Sequence, residues 1–141
     1  LYGDGPKKNA LVKSAANLKN VKLFSVVERN ELPEIYSKAD MLFLTLNSKP
    51  AFQSSLPSKI FEYCATGKPV IAFCSGQLQK FILEHNLEGV YAIKPHDLHA
   101  LREILPEMEG KTFDRALFYK KWRREEQVKL LVNDVISLGL G

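Results

Sequence analysis

The chain has 141 residues, 45% of them hydrophobic and 26% charged, with a formal net charge of +4. That length and mixture fit one soluble globular domain and exclude a disordered or low-complexity chain. No apolar run is long enough to span a bilayer, and so modest a positive charge gives no reason to expect a nucleic-acid partner.

The opening, "LYGDGPKKNAL", reads as the end of a strand, Leu1 to Gly3, then a Gly-rich turn and a helix. Natural chains seldom begin in mid-strand, so the expectation is a fragment whose upstream part is missing. Leu11, Ala15 and Leu18 are spaced for one helical face. "VKLF", Val21 to Phe24, reads as a short strand. Asn30 suits an N-cap, and Leu32, Ile35, Tyr36 and Ala39 repeat at helical spacing behind it. "MLFLTL", Met41 to Leu46, is an unbroken apolar run of the kind buried on both faces of a parallel sheet. The loop Asn47 to Pro57 is long for such a protein, and long loops in compact domains tend to carry function.

A helix is expected from Ser58 to Thr66, with Gly67 just past its end. "VIAF", Val70 to Phe73, is the next strand, and "GQLQKFILEHN" is a helix after a Ser75-Gly76 turn. "VYAI", Val90 to Ile93, is the last strand, and Asp97 caps a helix over Leu98 to Leu105. In the tail Val128, Leu131, Val132, Val135 and Ile136 form an amphipathic helical stripe. Cys64 and Cys74 sit among apolar or small residues and read as buried, reduced thiols of a cytosolic protein, not as a bridge.

Strands alternating with helices give an α/β fold, doubly wound, with a mostly parallel sheet and helices on both faces. Ligands of such folds bind beyond the carboxyl ends of the strands, where helices begin. Gly3 to Pro6, Ser25 to Asn30, Asn47 to Lys59 and the Cys74 to Gln77 turn therefore fall on the ligand edge.

The stretch "LPSKIFEYCATGKPVIAF", Leu56 to Phe73, holds the densest cluster of candidates. A helix start exposes unsatisfied N–H groups and partial positive charge, which suits a diphosphate. Ser58 is suited to cap it, and Lys59 adds a full positive charge. Glu62 shares a face with both. One turn rises about 5.4 Å, so a ribose attached to a diphosphate at the helix start would lie near Glu62. A carboxylate accepts two hydrogen bonds, which matches a ribose diol. The competing reading is a solvated ion pair between Lys59 and Glu62.

"GDGP" after a strand, "LPEIYSKADMLFL" and "LPSKIFEYCATGKPVIA" together resemble the carboxyl-terminal half of retaining glycosyltransferases of the GT-B fold, family four, of the bacterial surface-polysaccharide type. The resemblance runs from Gly3 to about Leu105. It implies a Rossmann-like, nucleotide-sugar donor-binding domain over residues 1–141, truncated at its N-terminal side and lacking the acceptor-binding domain. It implies sugar transfer from a nucleoside diphosphate, with uridine the base favoured by family frequency, to a glycan or lipid-linked acceptor, with retention of configuration.

By position the resemblance gives Glu62 the donor ribose and Pro57, Ser58 and Lys59 the diphosphate. Lys59 would stabilise the leaving group. The turn Ser25 to Glu28 would face the nucleobase, with Ser25, Val26 and Val27 joined by Gly3 and Gly5 in the donor-binding set. Many members carry a second glutamate upstream of the first. Ser54 stands there in this chain, which makes Ser54, Ser55 and Gln53 the candidates for contact with the donor sugar. The resemblance implies no cofactor and no metal, and a cytoplasmic enzyme, with the inner face of the membrane as a candidate site of action. A sugar-nucleotide epimerase of similar fold is the alternative enzyme. A non-catalytic nucleotide-binding or regulatory module, such as a receiver-like domain, is the alternative outside enzymes.

His96 and His99 lack a third partner for a metal. Asp4 and Asp40 stand at strand–loop junctions, where turn or capping roles are expected, and Lys7 and Lys8 read as a solvated face. "FYKKWRR", Phe118 to Arg124, interleaves aromatics with cations. Packing of Phe118 and Trp122 onto the domain, or a crossing to the other half, ranks ahead of peripheral membrane contact.

Overall fold

The structure is a computed structural model and describes residues 1–46 and 49–139. The chain divides into two compact units, Leu1–Lys38 and Ala39–Gly141. Asn47 and Ser48, at the head of the expected long loop, lie outside the described residues.

In the first unit, α1 spans Lys8–Ala15 and α2 spans Leu32–Ser37. The two strands expected here reduce to one parallel bridge between Tyr2 and Phe24, whose rings stack at 4.6 Å. Around it the Phe24 N–H donates to the Leu1 carbonyl at 2.8 Å and the Gly3 N–H to the Phe24 carbonyl at 3.3 Å. The α1 face is shorter than its spacing predicts. The helix stops at Ala15, before the turn-favouring Asn17 and Asn20, and leaves Leu18 outside it. Asn30 is not an N-cap. It lies inside a 3₁₀ turn, Arg29–Glu31, and the preceding residue Glu28 donates its N–H to Glu31 Oε2 at 2.8 Å. Pro33 opens α2, and Ala39 falls beyond its end.

The second unit holds the sheet. β1 (Leu42–Thr45), β2 (Val70–Phe73) and β3 (Val90–Ile93) run parallel in the order β1-β2-β3, with Leu42 beside Val70 and Val70 beside Val90. Its helices are α3 (Pro50–Gln53), α4 (Lys59–Ala65), α5 (Gln77–Glu84), α6 (Leu98–Met108), α7 (Ala116–Trp122) and α8 (Arg124–Ser137). Every residue of β2 is buried. β1, whose unbroken apolar run predicts burial on both faces, departs from that expectation. Leu42 and Leu44 are buried but Phe43 is 47% exposed, because among the described strands β1 pairs with β2 alone.

On one face Ile71, Phe73 and Ile93 pack against Met108, Leu101, Ile104 and Leu105 of α6. Strand alternation turns Val70 and Ala72 to the other face. The crossovers β1-α4-β2 and β2-α5-β3 both step the same way across the sheet, which sets α4 and α5 together on that side. Ile60, Cys64 and Leu78 are fully buried there. The result is the α/β sheet flanked by helices on both faces that the sequence predicts.

Two boundaries move. α6 runs through Pro106 to Met108, past the expected end at Leu105. The tail is two helices, and the α8 stripe is exposed at Val128, Leu131, Val132, Val135 and Ile136.

Candidate functional site

The carboxyl edge of the sheet is built by the segments that leave each strand. The Leu46 N–H donates to the Phe73 carbonyl at 3.0 Å and the Cys74 N–H to the Ile93 carbonyl at 2.9 Å, so pairing continues past each strand end. α4 and α5 begin at this edge.

α4 is positioned by its inner face, Ile60 and Cys64, both fully buried one turn apart. Lys59 is left exposed and Glu62 half-buried on the outer side. The structure therefore places the two candidate groups on one face, as their spacing predicts.

Ser58 does not cap the helix. It sits at φ −57° and ψ −27°, already helical, and its side chain makes no capping bond. A capping side chain needs an extended backbone to reach forward to the N–H groups of the first turn. Backbone carbonyls take over instead. The Ile60 N–H donates to the Pro57 carbonyl at 3.2 Å and the Phe61 N–H to the Ser58 carbonyl at 3.1 Å. At the far end Gly67 adopts φ 71°, the left-handed residue expected past the helix.

Ser54, Ser55 and Pro57 lie on the segment between α3 and α4, Ser54 exposed and the other two half-buried. That segment has an anchor which sequence reasoning missed. Gly76, before α5, has φ 69°, and a Cβ there would lie 2.3 Å from the Gln53 carbonyl oxygen. The end of α3 thus rests directly on the backbone of the Ser75-Gly76 turn. Glycine in a turn was a visible signal, but its partner across the edge was not.

In the first unit, Gly3 and Ser25 are brought together by the Tyr2–Phe24 bridge. Gly3, Gly5, Ser25 and Val26 are exposed and Val27 is half-buried.

Cys64 and Cys74 are both free and buried, and burial pushes each thiol up to about 11. His99 lies 3.6 Å from Glu103 on α6. Among the described residues no three His, Cys, Asp or Glu side chains gather as a metal would require. Among them, too, no helix is long and apolar enough to cross a membrane.

The aromatic tail packs. Phe118 and Trp122 meet Phe61 of α4 at 6.1 and 5.4 Å and Phe81 of α5 at 6.2 and 5.3 Å. Lys121 sits over the Trp122 ring and Arg123 pairs with Glu126 at 2.8 Å. Below them Arg115 is buried, a residue that nothing in "KTFDRALF" distinguishes from a surface arginine.

A parallel sheet with the starts of its helices gathered at one edge defines a Rossmann-like half, a fold whose ligands bind at that edge. The family can be named as well. The chain belongs to glycosyl transferases group 1, whose family model matches residues 1–108, and is a GT-B glycosyltransferase domain. Curated proteins and solved structures yield no match. The matched region ends at Met108, so α7 and α8 follow it.

Proposed function

We propose that this chain is the donor-binding half of a retaining, family-four glycosyltransferase that takes a sugar from a nucleoside diphosphate, with uridine as the base. The observation that carries the reading is the outer face of α4, where Lys59 and Glu62 stand one turn apart at the carboxyl edge of the sheet. Glu62 accepts the ribose hydroxyls. Lys59, with the backbone at Pro57 and Ser58, faces the diphosphate and neutralises the charge that develops on it as the glycosidic bond breaks. Ser54 and Ser55 face the donor sugar. For the first unit the reading keeps Gly3, Gly5, Ser25, Val26 and Val27 as donor residues, on family resemblance alone.

The acceptor is a glycan or a lipid-linked saccharide of bacterial surface-polysaccharide synthesis, and the enzyme works in the cytoplasm. Composition is what supports a membrane contact by the tail. If Lys120, Lys121, Arg123 and Arg124 touch anionic lipid, replacing each by Gln weakens vesicle binding by about 1 kcal/mol per cation. The packing of Phe118 and Trp122 favours a structural role instead.

Titration calorimetry with UDP and 2′-deoxy-UDP tests the ribose role. Glu62→Ala is expected to weaken UDP binding by about 1.5–3 kcal/mol, the range for a hydrogen bond to a charged group. The deoxy change should cost the wild type much more than the variant, since the variant has already lost the partner. Equal UDP affinity in wild type and Glu62→Ala would sink the assignment.

A further inference from the structure

We infer that Arg115 is a positioning residue for donor binding: it clamps the end of α4 to the sheet and so fixes where Lys59 and Glu62 stand. The inference rests on the donor-binding reading of α4 given above.

Arg115 is only 7% exposed. Its Nε donates to the Glu88 carbonyl at 2.8 Å, and its Nη1 donates to the Lys68 carbonyl at 2.9 Å and the Cys64 carbonyl at 3.4 Å. These acceptors come from three separate places: the last turn of α4, the turn leading into β2, and the loop leading into β3. Through Nε and Nη1 the planar group therefore ties α4 to the two strands beside it, while Nη2 is buried without a hydrogen-bond partner among the described residues. The carbonyls at a helix end carry partial negative charge, which suits the cation.

The neighbouring residues extend the clamp. The Phe113 N–H donates to the Gly67 carbonyl at 2.8 Å, and its ring lies 5.3 Å from the Arg115 guanidinium. That ring fills the space over Gly89, where a Cβ would come within 2.2 Å of it. Further on, Phe118 and Trp122 close on Phe61, the residue next to Glu62. Residues 113–122 thus follow α4 from its end back toward its functional face.

A buried cation is a costly way to fill space, since an apolar side chain of similar volume often serves stability as well or better. What the fork adds is direction. α4 has seven residues, a rod of roughly 10 Å at 1.5 Å per residue. Over so short a rod, freedom at the Cys64 end becomes displacement of comparable size at Lys59. Donor groups must hold their geometry within about 0.5 Å to act together.

The test uses the intact protein with Arg115→Met and Arg115→Lys. Lysine keeps the charge and the stem but cannot reproduce the fork. Binding of UDP is followed by calorimetry well below the unfolding temperature, with far-UV circular dichroism as the check on folding. The expected result is folded variants that bind UDP about tenfold or more weakly, Arg115→Lys included. In a Glu62→Ala, Lys59→Ala background the same changes should cost little, because the groups being positioned are gone. A merely structural role would lower the unfolding temperature and leave the affinity of the folded protein unchanged; that result overturns the inference. So does a full loss of affinity that persists in the double-variant background, and so does a failure of both variants to fold. If the wild type itself binds no nucleoside diphosphate, the donor-binding reading falls, and this inference with it.

Discussion

At Gly76 the backbone holds φ 69° and ψ −138°, a region that side chains resist, with the Gln53 carbonyl oxygen where a Cβ would go. Gly76→Ala therefore strains the turn and pushes α3 away at once. The expected loss is about 1–3 kcal/mol in urea unfolding, with weaker UDP binding as Ser54 and Ser55 shift. Lys59→Ala should behave in another way. The residue is exposed, so stability should hold within about 0.5 kcal/mol. Its effect should appear as a lost preference for UDP over uridine in calorimetry. That Lys59 and Glu62 share a helix face was legible because helical spacing is a local rule. The pairing of Gly76 with Gln53 and the burial of Arg115 were not, because both depend on segments that meet only in the folded chain.

Two helix starts show how far a local signal carries. At α6 the Asp97 carboxylate accepts the Ala100 N–H at 3.0 Å, as the sequence predicts. Asp97→Ala should cost about 1 kcal/mol, read as a lower thermal midpoint. At α4 a serine in an equally favourable position does not cap, because its backbone is already helical. Residue type proposes a cap and backbone angle decides it. The same contest settles α6 at its other end. Pro106 signals a stop, yet the helix continues and brings Met108, fully buried, against Ile71, Phe73 and Ile93. Burial of that side chain is worth about 1.5–3 kcal/mol, enough to offset much of the penalty of a proline near a helix end. β1 errs in the opposite direction: its apolar run promises two covered faces, and Phe43 shows only one. Among the described strands β1 has one neighbour and β2 has two, and composition alone does not tell them apart.

At the scale of the whole molecule, alkaline stability should carry the mark of two thiols. Cys64 on α4 and Cys74 after β2 are pushed by burial from 9.0 up to about 11. Unfolding returns them to ordinary values, so between about pH 9 and 11 the unfolded chain has lost protons that the folded chain keeps. Their contribution is fully present below pH 9 and is lost as pH rises to about 11. The slope is at most about 1.4 kcal/mol per pH unit for each thiol. Denaturant melts across this range should therefore be steeper in pH for the wild type than for a Cys64→Ala, Cys74→Ala variant.

The packing of Trp122 has an optical consequence. It is the single tryptophan of the chain, and its indole Nε1 is buried without a hydrogen-bond partner among the described residues. Its fluorescence should begin at short wavelength and move red when water reaches the ring. Since the ring lies against Phe61, Phe81 and His85, that shift marks the moment α7 lifts from α4 and α5. Circular dichroism, dominated by the backbone, follows the helices themselves. A red shift that precedes the loss of ellipticity on heating would show the tail peeling away while the sheet is still intact; coincident curves would make it part of one cooperative body.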